Sequence, residues 1–492
     1  MTPFLDYHAL APEIVLTVGL CLVLVVDLFV AEDRKVLVTN LAGLTVLASL
    51  VPVLTLALDG VDRAMFDGAY TVDNFALLLK AVFLVTGYVT LLMSVNYLEE
   101  GDYYEGEFSF LLLSSLLGMT VIASARDLLS IFVALELLSI PAYMLAGWRK
   151  RDLRSNEASL KYYLLGVLAS GVMLYGMSLI FGVAGTTNLY EIGAVLSSGI
   201  GRLPLVTVGI FLVIVGFAFK VSAVPFHFWA PDTYQGAPTP ITAFLSVASK
   251  AAGFVALLQL VFIGFLGRSD VWVPLFWALA AITMTVGNLI ALRQTNIVRL
   301  LAYSSIAQAG YILVPFAVAG ESRNALATAQ SASITYLAIY AAMNLGAFAM
   351  VIAIARRTGS GDVNSYGGLF KYSPALAVIM SVFMFSLAGI PPLGGWFAKF
   401  VIFRAVLEAG SVSAIVLGVI AAVNSVIALF YYANVAKEMW FSPAMEGADD
   451  RSSIRVPASL FAAVGITLIL TLAVGVYPNA IAKLGDMAVL VR

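Results

Sequence analysis

Apolar runs long enough to cross a bilayer recur along almost the whole of this 492-residue chain, and few folds can accommodate them. A spanning helix needs about 20 apolar residues to cross ~30 Å of hydrocarbon. Inside lipid, a helix satisfies every backbone polar group by itself. About fourteen such spans can be marked, near 12–30, 36–58, 73–96, 107–124, 127–147, 158–183, 205–231, 240–264, 271–292, 297–318, 330–355, 374–407, 411–441 and 457–475. Only 11% of the residues are charged, against about 25% in a soluble domain. No stretch remains that would fold as a separate soluble unit, so the expectation is an all-α, polytopic membrane protein. The first span follows no Lys or Arg and closes on Asp27, which reads as a retained helix rather than a cleaved signal.

The few charges are therefore informative. Loops that follow odd-numbered spans hold 14 Lys and Arg, against 8 in the other loops, and cytoplasmic loops are the ones enriched in these residues. With an even number of spans, both termini are expected on the side away from the cytoplasm. The five remaining basic residues, Lys80, Lys161, Lys220, Lys250 and Lys399, lie within spans, as does Glu136. A titratable group at membrane depth costs roughly 2.5–3.5 kcal/mol on insertion scales, so it marks a site unless it can escape to the interface. Lys80 and Lys161 lie near span ends, where a snorkelling lysine and a functional one look alike. Glu136, Lys220 and Lys250 lie near the middle of their spans, and Lys399 follows a Pro-Pro-Leu-Gly-Gly break.

A weak internal repeat groups these charges. Pro225-Phe-His-Phe-Trp229 and Pro392-Leu-Gly-Gly-Trp396 share a P-x-x-x-W pattern, each inside an unusually long apolar stretch. Proline removes a donor and clashes with the preceding turn, so both stretches are expected to be broken helices with free carbonyls at membrane depth. Paired broken helices point to the transport site of a transporter. Tyr143-Met-Leu with Tyr311-Ile-Leu, and Tyr163-Leu with Tyr336-Leu, extend the match to two inverted five-helix repeats. In that register Glu136 corresponds to Ser304, and Lys250 falls near Asn424. The single membrane domain, 1–492, then divides into three N-terminal helices (1–100), a first repeat (107–264), a second repeat (271–441) and a C-terminal helix and tail (457–492). His227, beside the first break, is suited equally to relaying protons and to satisfying freed carbonyls. Asp127 and Asp232 sit at expected helix ends and read as solvated caps. Scattered Tyr, Ser and Asn residues read as packing and hydrogen-bonding groups.

Several chemistries are excluded. The single Cys21 rules out an internal disulfide and any four-cysteine iron–sulfur site. Two histidines, one of them His8 before the first span, make a bis-His haem site improbable. There is no G-x-x-x-x-G-K-[ST] phosphate loop and no dinucleotide fingerprint after a strand. No metal site is expected, and no cofactor in this chain. The net charge of −2, without a basic tract, gives no nucleic-acid signal.

The segments ALELLSIPAYMLAG, SNEASLKYYLLG, FKVSAVPFHFWAPDTYQGAPTPITAFLSVASKAAGF, QTNIVRLLAYSSIAQAGYIL and GIPPLGGWFAKF resemble the antiporter-like membrane subunits of respiratory complex I, the proton-pumping NADH:quinone oxidoreductase. Lys399 where relatives carry Glu, the sequence YQGAPTP and a short C-terminus favour the branch formed by bacterial subunit N and mitochondrial subunit two. The resemblance implies that Glu136 partners Lys220 of the broken seventh helix, that Lys250 connects, and that Lys399 ends the path, with His227 and Lys161 as candidate relays. Apolar burial disfavours the charged form of a lysine and a nearby carboxylate favours it. Moving Glu136 would thus switch Lys220 between holding and releasing a proton. The resemblance further implies a bacterial plasma membrane location with periplasmic termini, a neighbouring antiporter-like subunit and small membrane subunits as partners, and redox chemistry on other subunits. An Mrp-type cation/proton antiporter shares this ancestry and is the alternative. A third possibility is a structural module that only holds its neighbours together.

Overall fold

The computed structural model describes residues 5–31, 34–101, 106–319, 323–443 and 453–490, without the side chain of Arg323; Arg451 and Arg492 of the loop count lie outside the described residues. The helices, in chain order, are α1 (Ala11–Asp27), α2 (Val36–Leu58), α3 (Asn74–Glu100), α4 (Glu107–Ser124), α5 (Leu128–Ala146), α6 (Leu153–Ala184), α7 (Leu189–Leu196), α8 (Pro204–Lys220), α9 (Trp229–Gly236) and α10 (Thr239–Phe244). They continue as α11 (Lys250–Gln259), α12 (Ser269–Ala291), α13 (Ile297–Val318), α14 (Arg323–Thr358), α15 (Leu369–Tyr372), α16 (Pro374–Ala388), α17 (Gly394–Ala409), α18 (Val412–Phe441), α19 (Ala458–Val476) and α20 (Asn479–Met487). A small antiparallel hairpin of β1 (Arg63–Met65) and β2 (Tyr70–Val72) joins α2 to α3.

Among the described residues, 11 helical segments are long and apolar enough to cross a membrane. The 17-residue α1 and two interrupted crossings, α8/α9 and α16/α17, complete the expected fourteen. Local chemistry sets many boundaries. Asp73 accepts from the amide of Ala76 to start α3, and Asp127 from that of Ser130 to start α5, so Asp127 is the cap it was read to be. α7 was not expected; it occupies the interval between the sixth and seventh spans.

Burial runs opposite to that of a soluble bundle at the periphery, where α5 turns Val133, Leu137 and Ile140 outward and α6 turns Leu164, Leu168 and Leu174 outward. The centre is formed by the segment Thr239–Gly264, whose spanning window is 100% buried, and by α14, at 94%. Without a hydrophobic force between helices in lipid, close packing of small residues holds neighbours together. On α6, Gly176 meets α8 so tightly that a Cβ there would stand 2.7 Å from the Gly209 carbonyl oxygen.

Both proline-marked crossings are broken. α8 stops at Lys220, and residues 221–228, with a cis Val224–Pro225 bond, lead to α9. α16 stops at Ala388, and residues 389–393, with a cis Pro391–Pro392 bond, lead to α17. The freed backbone groups find partners. In the first break, the indole of Trp229 donates to the Phe219 carbonyl at 3.0 Å, and the Val224 amide donates to the Thr283 hydroxyl at 3.0 Å. In the second, the Gly395 amide donates to the Ser386 hydroxyl at 3.1 Å. The central crossing is also irregular, since α10 passes into α11 through a π-helical turn, Leu245–Ser249, that delivers Lys250. Such turns occur often at functional sites.

Candidate functional site

Lys220 is the last residue of α8 and is 5% exposed. Its ammonium donates to the Ser139 hydroxyl of α5 at 2.7 Å and lies 5.9 Å from the centre of the Tyr162 ring. The Ser139 hydroxyl in turn donates a hydrogen bond to the Leu135 carbonyl. Glu136 stands one helical turn before Ser139, on the same side of α5. It is half-buried and accepts from the Ser170 hydroxyl of α6 at 2.6 Å. The implied Glu136–Lys220 pair is therefore not a direct ion pair here. Each charge keeps its own hydroxyl partner, Ser170 for the carboxylate and Ser139 for the ammonium.

Lys250, 2% exposed, donates to the Ser305 carbonyl of α13 at 2.8 Å and to the Ser305 hydroxyl. The two lysine sites approach each other through aromatic hydroxyls. Tyr162, beneath Lys220, points its hydroxyl toward Ser249, the residue before Lys250. The hydroxyls of Tyr234 and Tyr340 point toward Ser305. All three hydroxyls are buried and close no hydrogen bond among the described residues. Buried polar atoms of this kind are the groups that hold ordered water.

From Lys250 the polar groups continue to Lys399. Ser304, next to Ser305, shares a hydrogen bond with the Tyr432 hydroxyl of α18. Gln308, one turn further along α13, donates to the Tyr432 hydroxyl at 3.3 Å and to the Leu387 carbonyl at 3.1 Å, and accepts from Tyr336. The adjacent Ala388 carbonyl, freed where α16 stops, accepts from Lys399 at 2.7 Å, and the same ammonium lies 5.0 Å from the centre of the Tyr311 ring. Helix C-termini present partial negative charge, which suits an ammonium. Gly389 makes this approach possible. Its φ is +92°, and a Cβ would come within 2.7 Å of the Lys399 side chain. Gly389→Ala is expected to cost roughly 1–2 kcal/mol for the left-handed backbone alone, with the displacement of Lys399 added. A lower melting temperature of the purified protein would register it.

The two relay candidates fall elsewhere. His227 is 6% exposed, and its Nδ1 faces the Pro225 carbonyl at 3.4 Å within its own turn, so the geometry is that of carbonyl satisfaction. Lys161 is half-buried in the third turn of α6, where it pairs with Glu157 at 2.7 Å and Asp232 at 2.9 Å. Asp232 is not a cap. It holds Lys161 and Arg299, each at 2.9 Å, beside an open cleft of about 180 Å³ lined also by Arg154, Glu157 and Gln235. Lys80 does not snorkel; it is wholly buried, 2.9 Å from Glu13. Sequence reasoning set aside the uncharged members of the file, Ser139, Ser305, Gln308, Tyr162 and Tyr432. Ser304 and Gln308 at i, i+4 on one face of an apolar helix were the one local signal for them.

Residues 125–425 match the family described as NADH:quinone oxidoreductase/Mrp antiporter, TM. The chain is 38% identical to NADH-quinone oxidoreductase subunit N of Trichlorobacter lovleyi, over 99% of this chain and 97% of that protein. It is 40% identical to NAD(P)H-quinone oxidoreductase subunit 2 of a Picosynechococcus species, over 98% of this chain and 91% of that one. A chain of respiratory complex I from Thermus thermophilus superposes with a TM-score of 0.79 at 31% identity, covering 96% of this chain and 98% of that one. A chain of the Mrp complex from a Dietzia species shares the fold, with a TM-score of 0.86 at 22% identity over 99% and 97% of the two chains.

Proposed function

Because the chain belongs to the transmembrane family of NADH:quinone oxidoreductases and Mrp antiporters, we propose that it is the subunit-N-type component of a proton-pumping NADH:quinone oxidoreductase and moves protons through Glu136, Lys220, Lys250 and Lys399. It contributes no redox centre. Electron transfer occurs on other subunits and reaches this one through conformational and electrostatic coupling. The supporting observation is the near-continuous file of side chains from Glu136 and Ser139 through Lys220, Tyr162, Lys250, Ser305, Tyr432 and Gln308 to Lys399. Three buried ammonium groups, each on one or two neutral oxygens, can trade protons along such a file without leaving the protein interior.

The basic-residue excess in alternate loops supports termini on the periplasmic side of a bacterial plasma membrane. The partners are a neighbouring antiporter-like subunit and small membrane subunits. Glu136 is only half-buried beside exposed Val133, Leu137 and Ile140, a face that a neighbour would cover. Moving a charge against the membrane potential costs ~2.3 kcal/mol per 100 mV, so the driving energy must come from the electron-transferring subunits.

In the assembled complex, Lys220→Ala and Glu136→Gln should each reduce proton translocation and the quinone reduction coupled to it. Dye-reported acidification of inverted membrane vesicles, scaled to the amount of intact complex, measures the effect. Unchanged proton yield in both variants would falsify the assignment. The Mrp-type alternative is separated by placing the purified chain alone in liposomes, where cation exchange under a pH gradient favours an antiporter and inertness favours a subunit.

A further inference from the structure

One buried pair of opposite charges lies outside the file. Lys80 in α3 is 0% exposed and stands 2.9 Å from a carboxylate oxygen of Glu13, in the first turn of α1. It also donates to the Tyr70 hydroxyl of β2 at 3.0 Å. Ser124, the last residue of α4, is directed at Tyr70, but its oxygen is buried without a hydrogen bond. Gln259, at the end of α11, uses its amide nitrogen on the carbonyls of Ile122, at 2.7 Å, and Ala123, at 3.3 Å, while its own oxygen is buried and unpartnered. Arg126 and Asp73, paired at 2.8 Å, close the cluster on the side of the hairpin. Glu13 is 8% exposed, and the Asp73 side chain, at 24%, is the more open to solvent.

A structural ion pair explains this poorly, because removing two charges from water usually offsets what their attraction returns, and well-packed apolar residues serve as well. Position suggests more. α1 and α3 begin here, and α4 and α11 end here, so the cluster lies at the opposite end of the bundle from the Lys161–Asp232 cleft. Gln259 follows Lys250 on the same helix by nine residues, which turns its side chain to the opposite face of α11, toward α4. A protein that carries protons across needs an exchange group at each face, and Glu13 and Lys80 are a titratable pair in this cluster with both members buried.

We propose that Glu13 and Lys80 form the proton-release station of this subunit, supplied through water held by the free oxygens of Gln259 and Ser124. The Lys80 ammonium gives one proton to the Glu13 carboxylate, leaving an amine and a carboxylic acid. The acid loses that proton to outer solvent, and the amine takes another from within. One proton crosses per cycle of the pair, and only N–H and O–H bonds change. This rests on the proton-translocating reading and on the outward orientation of the termini.

The test uses the whole complex in membrane vesicles. Lys80→Met alone strands a buried carboxylate, so loss of assembly is expected there whatever the role. The double variant Glu13→Gln/Lys80→Met removes both charges at nearly constant volume, and should assemble yet translocate fewer protons per electron pair. A purely structural pair predicts that the double variant recovers full proton yield, and that result overturns the proposal. Gln259→Leu and Ser124→Ala leave the ion pair untouched and should also lower the yield; normal yield in both, like recovery in the double variant, defeats it. A parallel Lys250→Met variant keeps the two questions apart. If that variant pumps normally the translocation reading itself fails, whereas a defect there beside normal Glu13→Gln/Lys80→Met pumping removes only the release station.

Discussion

Lys250→Met in the assembled complex is expected to lower proton-coupled turnover by about tenfold or more, each factor of ten being about 1.4 kcal/mol in the barrier. Lys250 carries the largest expected effect because its interactions are the least replaceable. Among the described residues it donates to the carbonyl and hydroxyl of Ser305 and meets no carboxylate, in a crossing whose window is 100% buried. It is also the ionisable group between Lys220 and Lys399 along the file, so its loss leaves only hydroxyls and an amide there. Met matches the volume of the lysine stem and packs without a void, so a defect in pumping with normal assembly belongs to the ammonium. Lys250→Arg adds a control. It preserves positive charge but cannot be deprotonated, and so should fail as badly as Met if proton release is the role, and far less if a fixed charge is all that is required. Vesicle acidification read against electron transfer decides between them. Wild-type proton yield per electron pair in both variants is incompatible with the file.

The fourteen crossings were legible in the sequence because lipid enforces long apolar runs, and Pro225 and Pro392 do mark breaks. α7 was not, since eight amphipathic residues in a loop give a weak periodic signal. Charged residues stood out against an apolar background, but their partners did not. Lys80 resembled an interface lysine because Glu13 comes from another helix far earlier in the chain. Asp232 resembled a cap because Lys161 and Arg299 reach it from α6 and α13. The resemblance implied that Glu136 partners Lys220, but the hydroxyls each one meets, Ser170 and Ser139, could not be read from the sequence. Every uncharged member of the file is recognisable only after helices distant in sequence have been brought together, since a single Ser or Tyr in a spanning helix is ordinarily packing.

The second large effect is expected where two charges communicate without touching. Tyr432→Phe deletes only the hydroxyl that joins Ser304 to Gln308. It should reduce proton yield severalfold, on the order of 1 kcal/mol in the barrier, while Lys399 keeps its Ala388 carbonyl and the end of α16 stays pinned through Leu387. Gln308→Leu goes further. It strands the Leu387 carbonyl and the Tyr336 hydroxyl in a dry interior, each at a cost of about 1–3 kcal/mol, so it should lower both the proton yield and the melting temperature of the complex. The contrast is the informative measurement. Packing alone would make the stability loss of Gln308→Leu track its pumping loss and leave Tyr432→Phe nearly silent, because phenylalanine fills the same space. A proton connection predicts the reverse for Tyr432→Phe, a defect in pumping with little change in stability. If Tyr432→Phe pumps normally while Lys250→Met and Lys399→Met do not, the two lysines exchange protons by another route, and the segment from Ser304 to Leu387 holds helices together without conducting.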